Sequence, residues 1–268
     1  MSKSQTPQSR LITSFQSTGR VGKSTIHQAL ISWLSHAEIP FMAIDADGTH
    51  KTLNRWYPEH STLSPFAQPD DLQPILNAVG QAPVTLLDFP AQQTPAILTA
   101  FEHFHAFHVL REKHVRLTNL IFASDERAAM ESAAAIVQTC GDFADYVIVK
   151  NPARFTSQVF DESPWLRKTL LDSAKAPTIN FPRITGWTIE YVDKLSKQQH
   201  KSLTFREAEP LIAHDAITSK FELEHWRNLA FAQFEDAATH LLPSPDMIKK
   251  RIERPKQKAV ATIDPFDL

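Results

Sequence analysis

Residues 14–30 read "SFQSTGRVGKSTIHQAL" and contain Gly22-Lys23-Ser24. The usual phosphate-binding loop is a glycine, four residues, then Gly-Lys-Ser/Thr. Counting back, position 17 should be that glycine, and it is Ser17. Gly19 stands two residues on as a candidate substitute. The chain has six glycines in 268 residues, and Gly19 and Gly22 are two of them. Glycine costs backbone entropy and is best spent where positive φ or close ligand approach is required.

The flanks of the loop decide whether it is one. Before it, "RLITSFQ" reads as a strand carrying Leu11, Ile12 and Phe15. After it, Ile26, Leu30, Trp33 and Leu34 recur at helical spacing. Strand, loop and helix in that order are the setting a phosphate loop requires. There, backbone amides and the helix N-terminus face the phosphate. The lysine reaches its outer oxygens, and the Ser/Thr hydroxyl is a Mg²⁺ ligand. The alternative is an ordinary helix start capped by Ser24.

Further along, "FMAIDADG" is a strand ending in Asp45 and Asp47. Two acids one residue apart are expected on the same side of a strand; the string also reads as a turn. "APVTLLDFP" is an apolar strand that stops at Asp88, a candidate water-mediated Mg²⁺ contact or a cap of the next turn. A helix is expected over 94–113, a strand over "VRLTNLIFAS", and an alanine-rich helix over "DERAAMESAAAIVQTC". "DYVIVKN" reads as a strand ending at Asn151, and "APTINFP" as a last strand. Residues 50–80 read as short helices separated by loop. Residues 186–242 read as mainly helical, with Phe221, Leu223, Trp226, Leu229, Ala230 and Phe234 as the apolar stripe. Strands alternating with helices predict an α/β fold, a mostly parallel sheet with helices on both faces. One domain is expected over residues 1–251, with a flexible basic tail over 252–268.

Composition sets the limits. The net charge of −2 excludes a chain built as a whole to coat nucleic acid or anionic membrane. Cys140 is the single cysteine, so no disulfide forms within the chain. The N-terminus lacks a signal-peptide core and no run is long enough to span a bilayer. These features lead us to expect a cytoplasmic protein.

Three motifs in order, "STGRVGKST", "AIDADGTHKTL" and "VTLLDFPAQ", resemble those of the ParA/MinD family of deviant Walker A P-loop ATPases. The resemblance covers residues 10–155. The spacing of the acidic motifs is also similar to the TraL/StbB-like branch of conjugative plasmids. The resemblance implies a P-loop NTPase fold and an ATPase using ATP and Mg²⁺. The loop Gly19, Arg20, Val21, Gly22, Lys23, Ser24 and Thr25 would hold the nucleotide. Lys23 would be the phosphate lysine, and Ser24 and Asp88 the Mg²⁺ residues. Asp47 would orient the attacking water. Asn151 would read the base, or else is a turn residue before Pro152. The implied role is a switch in plasmid partition, positioning or conjugative transfer, acting through a nucleotide-dependent homodimer, DNA and a partner protein. The family's signature lysine is Thr18 here and its second glycine is Arg20, which is a candidate replacement cation. The Asp-Pro-Gln that follows the family's first acid is here Asp47-Gly48-Thr49.

Two other readings stay open: a P-loop small-molecule kinase or synthetase, and a nucleotide-binding scaffold with little turnover. The cluster of His103, His105, His108 and His114 with Phe101, Phe104 and Phe107 matches no zinc spacing. It reads as a helix face or a partner interface. The tail "KKRIERPKQK" reads as a solvated segment or a DNA contact.

Overall fold

The computed structural model describes residues 7–16, 19, 21–153, 156–213 and 216–249. Seven strands form one sheet in the order β3-β2-β4-β1-β5-β6-β7. They are β1 (Ser9–Thr13), β2 (Phe41–Asp45), β3 (Ser61–Leu63), β4 (Val84–Asp88), β5 (Val115–Ala123), β6 (Ala144–Lys150) and β7 (Thr178–Asn180). Every pairing is parallel, so the sheet is fully parallel where a mostly parallel one was expected.

Strands of such a sheet are buried on both faces, and their apolar residues divide between two cores. On one face, Ile12, Leu86, Leu120 and Val147 pack under α1 (Lys23–His36), α11 (Ile217–Asp236) and α12 (Ala238–Leu241). On the other, Leu11, Leu87, Leu117, Ile121 and Ile148 pack under α3 (Leu72–Ala78), α4 (Thr94–His103), α5 (Ala106–Glu112) and α6 (Arg127–Cys140). The latter layer also takes Phe160 from α7 (Gln158–Asp161) and Leu166 from α8 (Pro164–Arg167). A third, smaller core joins α9 (Gly186–Gln198), α10 (Phe205–Ala208) and α11.

Helix α1 buries a wide arc because it lies between the sheet and α11: Trp33 stacks at a tilt on Phe234, with ring centroids 5.5 Å apart. The α11 stripe runs Leu223, Trp226, Ala230 and Phe234, at steps of three and four. Phe221 is off it and 62% exposed, a correction to the expected stripe. The helix expected over 94–113 is two helices. The chain turns at His105, whose φ is +47°, with neither Gly nor Pro to announce the break. The short helix α2 (Thr52–Trp56) falls where a short helix was expected, whereas strand β3 falls where only helix and loop were expected. The tail from residue 252 lies outside the described residues.

Candidate functional site

In a parallel sheet the C-terminal ends of all strands lie on one edge, and loops leaving that edge meet above it. The strands before the three motifs are β1, β2 and β4, and β4 is hydrogen-bonded to both of the others. Asp45 and Asp88 end β2 and β4 and are direct register partners. The loop after β1 leads to α1 beside them, and Asn151 follows β6 on the same edge.

Gly22 precedes α1 with φ +103° and ψ +19°, a conformation L residues rarely adopt. A Cβ there would lie 2.5 Å from Asn151 Nδ2. Asn151 itself donates from Nδ2 to the Val21 carbonyl at 3.1 Å. The loop is therefore clamped from β6, and only glycine fits beneath the clamp. Gly19 is different. Its neighbours in the chain, residues 18 and 20, lie outside the described residues, and a Cβ on Gly19 would meet Ala91 at an ordinary 3.8 Å.

Ser24 lies inside α1, and Gly22 is the residue before the helix. This rules out Ser24 as the helix cap. Its hydroxyl donates to Asp88 Oδ2 at 2.8 Å. Lys23 is buried, and its Nζ donates back to the Gln16 carbonyl at 2.6 Å. Burial lowers the lysine pKa, against the pull of Asp88 and Asp47. Gln16 is fully buried too: its Oε1 accepts from Phe122 N at 2.6 Å and its Nε2 donates to the Phe122 carbonyl at 3.0 Å. The start of the loop is thus tied to β5.

The two paired carboxyls diverge. Burial pushes Asp88 up, but the His27 ring, the Ser24 hydroxyl and the Lys23 ammonium outweigh it, and the net direction is down. Burial pushes Asp45 up too; backbone N–H bonds from Asn54 and Asp47 oppose it, and Asp88 and Asp47 add repulsion, so it ends raised. Neighbouring acids disfavour each other's ionisation, and here the partners favour the charged form of Asp88. His27, one turn beyond Lys23, is fully buried with Nδ1 3.4 Å from Asp88 Oδ1. That contact is close without being aligned as a hydrogen bond, so the Ser24 bond and the Lys23 charge are the firmer part of the balance.

The expectation that Asp45 and Asp47 share one side of a strand is corrected, because β2 ends at Asp45. Asp45 accepts from Asp47 N at 3.0 Å and from Asn54 N of α2 at 2.9 Å. Asp47 lies in the following turn and its Oδ1 accepts from Thr49 N and His50 N, both at 2.9 Å. Its charge still acts on Lys23. Arg20 and Thr18 lie outside the described residues. Thr25 is exposed and, with Asn151, lines one end of a cavity of about 560 Å³.

Sequence spacing could have found His27, which shares a helix face with Lys23. It gave no hint of Gln16, whose partners are more than a hundred residues away.

No family model matches the chain, and no curated protein matches it. Solved structures do. The MinC:MinD cell division protein complex of Aquifex aeolicus matches with 15% identity over 72% of this chain and 89% of that one, TM-score 0.43. Chloroplast FtsY of Physcomitrella patens matches with 13% identity over 65% of this chain and 58% of that one, TM-score 0.42. FlhF complexed with GMPPNP and Mg²⁺ matches with 16% identity over 58% of this chain and 63% of that one, TM-score 0.37. The α/β P-loop assignment rests on the sheet order and on the loop, lysine and acid described above. Among the described residues, no helix is long and apolar enough to cross a membrane.

Proposed function

We propose that the chain binds a nucleoside triphosphate with Mg²⁺ at this edge and hydrolyses it as a ParA/MinD-type switch. One observation carries the reading: Lys23 and Ser24 open a helix directly beside a buried carboxylate kept anionic, Asp88. Backbone amides at such a helix start favour phosphate. Lys23, now on the Gln16 carbonyl, exchanges that acceptor for a phosphate oxygen. Ser24 and Asp88 offer oxygen donors only, which suits a hard cation. Bound there, Mg²⁺ would neutralise phosphate charge. Asp47 is the residue proposed to orient the water, and Arg20 the added cation. Asn151 holds the loop from the side on which the base would lie.

The finer reading is that ATP is the nucleotide and that its state sets a homodimer acting on DNA in plasmid partition or transfer, with a partner protein. Labelled ATP and GTP titrated with and without Mg²⁺, and sedimentation of the chain with and without nucleotide, test both levels. Mg²⁺-dependent binding with ATP preferred, and a larger species with ATP, are expected. Absence of binding to either nucleotide sinks the reading. Binding without a change in size leaves nucleotide recognition standing and removes the dimer switch. Unchanged turnover in Arg20→Ala removes that residue from the mechanism.

A further inference from the structure

The cavity that starts at Thr25 and Asn151 runs on along one face of α1, past Gln28, Ser32 and His36. From Thr25 to His36 that is about 16 Å at 1.5 Å per residue. A base and sugar attached to phosphates on the loop would fill the Thr25–Asn151 end. The far half has other walls, with Trp56 and Tyr57 at the end of α2, Phe205 on α10, and Trp226 and Phe231 on α11.

These walls are fixed, and their polar tips are engaged. Phe205 and Phe181 stand edge-on to Trp226, with centroids 5.1 and 5.3 Å away. The Trp226 indole donates to the Pro182 carbonyl at 2.8 Å. The Tyr57 hydroxyl is bonded with Ser32 at 3.1 Å and donates to the Gln28 carbonyl at 3.2 Å. What they offer a ligand is ring surface, the predominant kind of lining in small-molecule sites. Burial pushes the Tyr57 phenol up to about 12. Charges gather at the rim. Arg183 and Arg206 are exposed there with Asp193 opposing them, and Arg227 is paired with Glu209.

We propose that the far half of this cavity is a second ligand site, separate from the nucleotide, for a small organic acid with an aromatic or branched aliphatic body. The body lies among Trp56, Phe205 and Trp226, and the acid group meets Arg206 and Arg183. The site lies one short helix from the acids of the loop: α2 supplies Trp56 to the wall and its Asn54 N–H to Asp45. This goes beyond the nucleotide reading and does not require it.

The test uses the full chain and two probes, the aromatic sulfonate 8-anilinonaphthalene-1-sulfonate and the neutral N-phenyl-1-naphthylamine. Each is titrated with and without a saturating non-hydrolysable nucleotide and Mg²⁺, and read by energy transfer from tryptophan. Saturable one-site binding that persists with nucleotide is expected. Arg206→Glu should weaken the sulfonate about threefold to tenfold and leave the neutral probe unchanged. Ser32→Trp, which fills the far end, should abolish both. Arg206 is exposed, so that variant keeps the fold even where Ser32→Trp does not. Competitive displacement by nucleotide would make the whole cavity one nucleotide site and overturn the proposal. So would equal weakening of both probes by Arg206→Glu. Loss of binding in Trp187→Ser/Phe221→Ser would assign the probe to those exposed rings, 73% and 62% accessible, and overturn it too.

Discussion

Gly22→Ala is the substitution that most sharply tests how the loop is held. Two separate costs are visible. The first is conformational: φ is +103°, and a left-handed conformation costs an L residue about 1–2 kcal/mol. The second is steric. The new Cβ would sit 2.5 Å from Asn151 Nδ2, so the amide must leave the Val21 carbonyl it now meets at 3.1 Å. Leaving a buried polar group unpaired costs about 1–3 kcal/mol. Together the two predict a loss of about 2–5 kcal/mol. A double-mutant cycle separates them. With Asn151→Ala in place the clash partner is gone, and Gly22→Ala should cost only the conformational part, about 1–2 kcal/mol. Urea unfolding of the four proteins, followed by tryptophan fluorescence and by circular dichroism, supplies the values. An equal cost in both backgrounds would refute the clamp and leave only the backbone argument.

Three further outcomes follow from the same structure. Asp145 accepts from Arg10 at 2.5 Å and from Arg116 at 2.7 Å; burial pushes its carboxyl up, but the two guanidiniums outweigh this and hold it low. A carboxyl depressed on folding stabilises above its unfolded pKa, and that contribution is lost as pH falls through the folded value. Asp145→Asn should therefore cost about 3 kcal/mol at neutral pH by removing the counter-charge of buried Arg10, with the gap to the parent closing below about pH 4 in acid titrations of stability. Phe234→Ala should cost about 3–5 kcal/mol by opening a cavity beside Trp33, whereas Phe221→Ser should stay within about 0.5 kcal/mol; thermal melts of the pair check the corrected stripe. Asp88→Asn should raise the Mg²⁺ needed for half-maximal nucleotide binding about 10- to 100-fold, measured by titrating Mg²⁺ at fixed nucleotide.

The sequence made the scaffold legible where one signal dominated. Runs such as "VTLLD" and "DYVIVK" are buried on both faces, and a continuous apolar run reports that directly. The Gly-Lys-Ser string does stand between a strand and a helix, as its flanks announced, and its Ser24 meets Asp88. Where long-range packing decided, the signal failed. Strand β3 is three residues at the sheet edge, too short to show a period. The turn at His105 is made without Gly or Pro, so no breaker in the local sequence announces it. The alternation rule failed for Asp47 because the strand had already ended. Gln16 and Asn151 act through partners far away in the chain, and the aromatic cavity draws on α1, α2, α10 and α11 together. No local pattern contains such arrangements.

The central claim is that the edge holding Lys23, Ser24 and Asp88 binds a nucleoside triphosphate. Lys23→Ala tests it most directly, by equilibrium titration of labelled ATP and GTP in the presence of Mg²⁺. A charge-assisted contact contributes about 1.5–3 kcal/mol, so the preferred nucleotide should bind about 10- to 100-fold more weakly, with the fold intact by circular dichroism. Unchanged affinity in a folded Lys23→Ala protein would contradict the account.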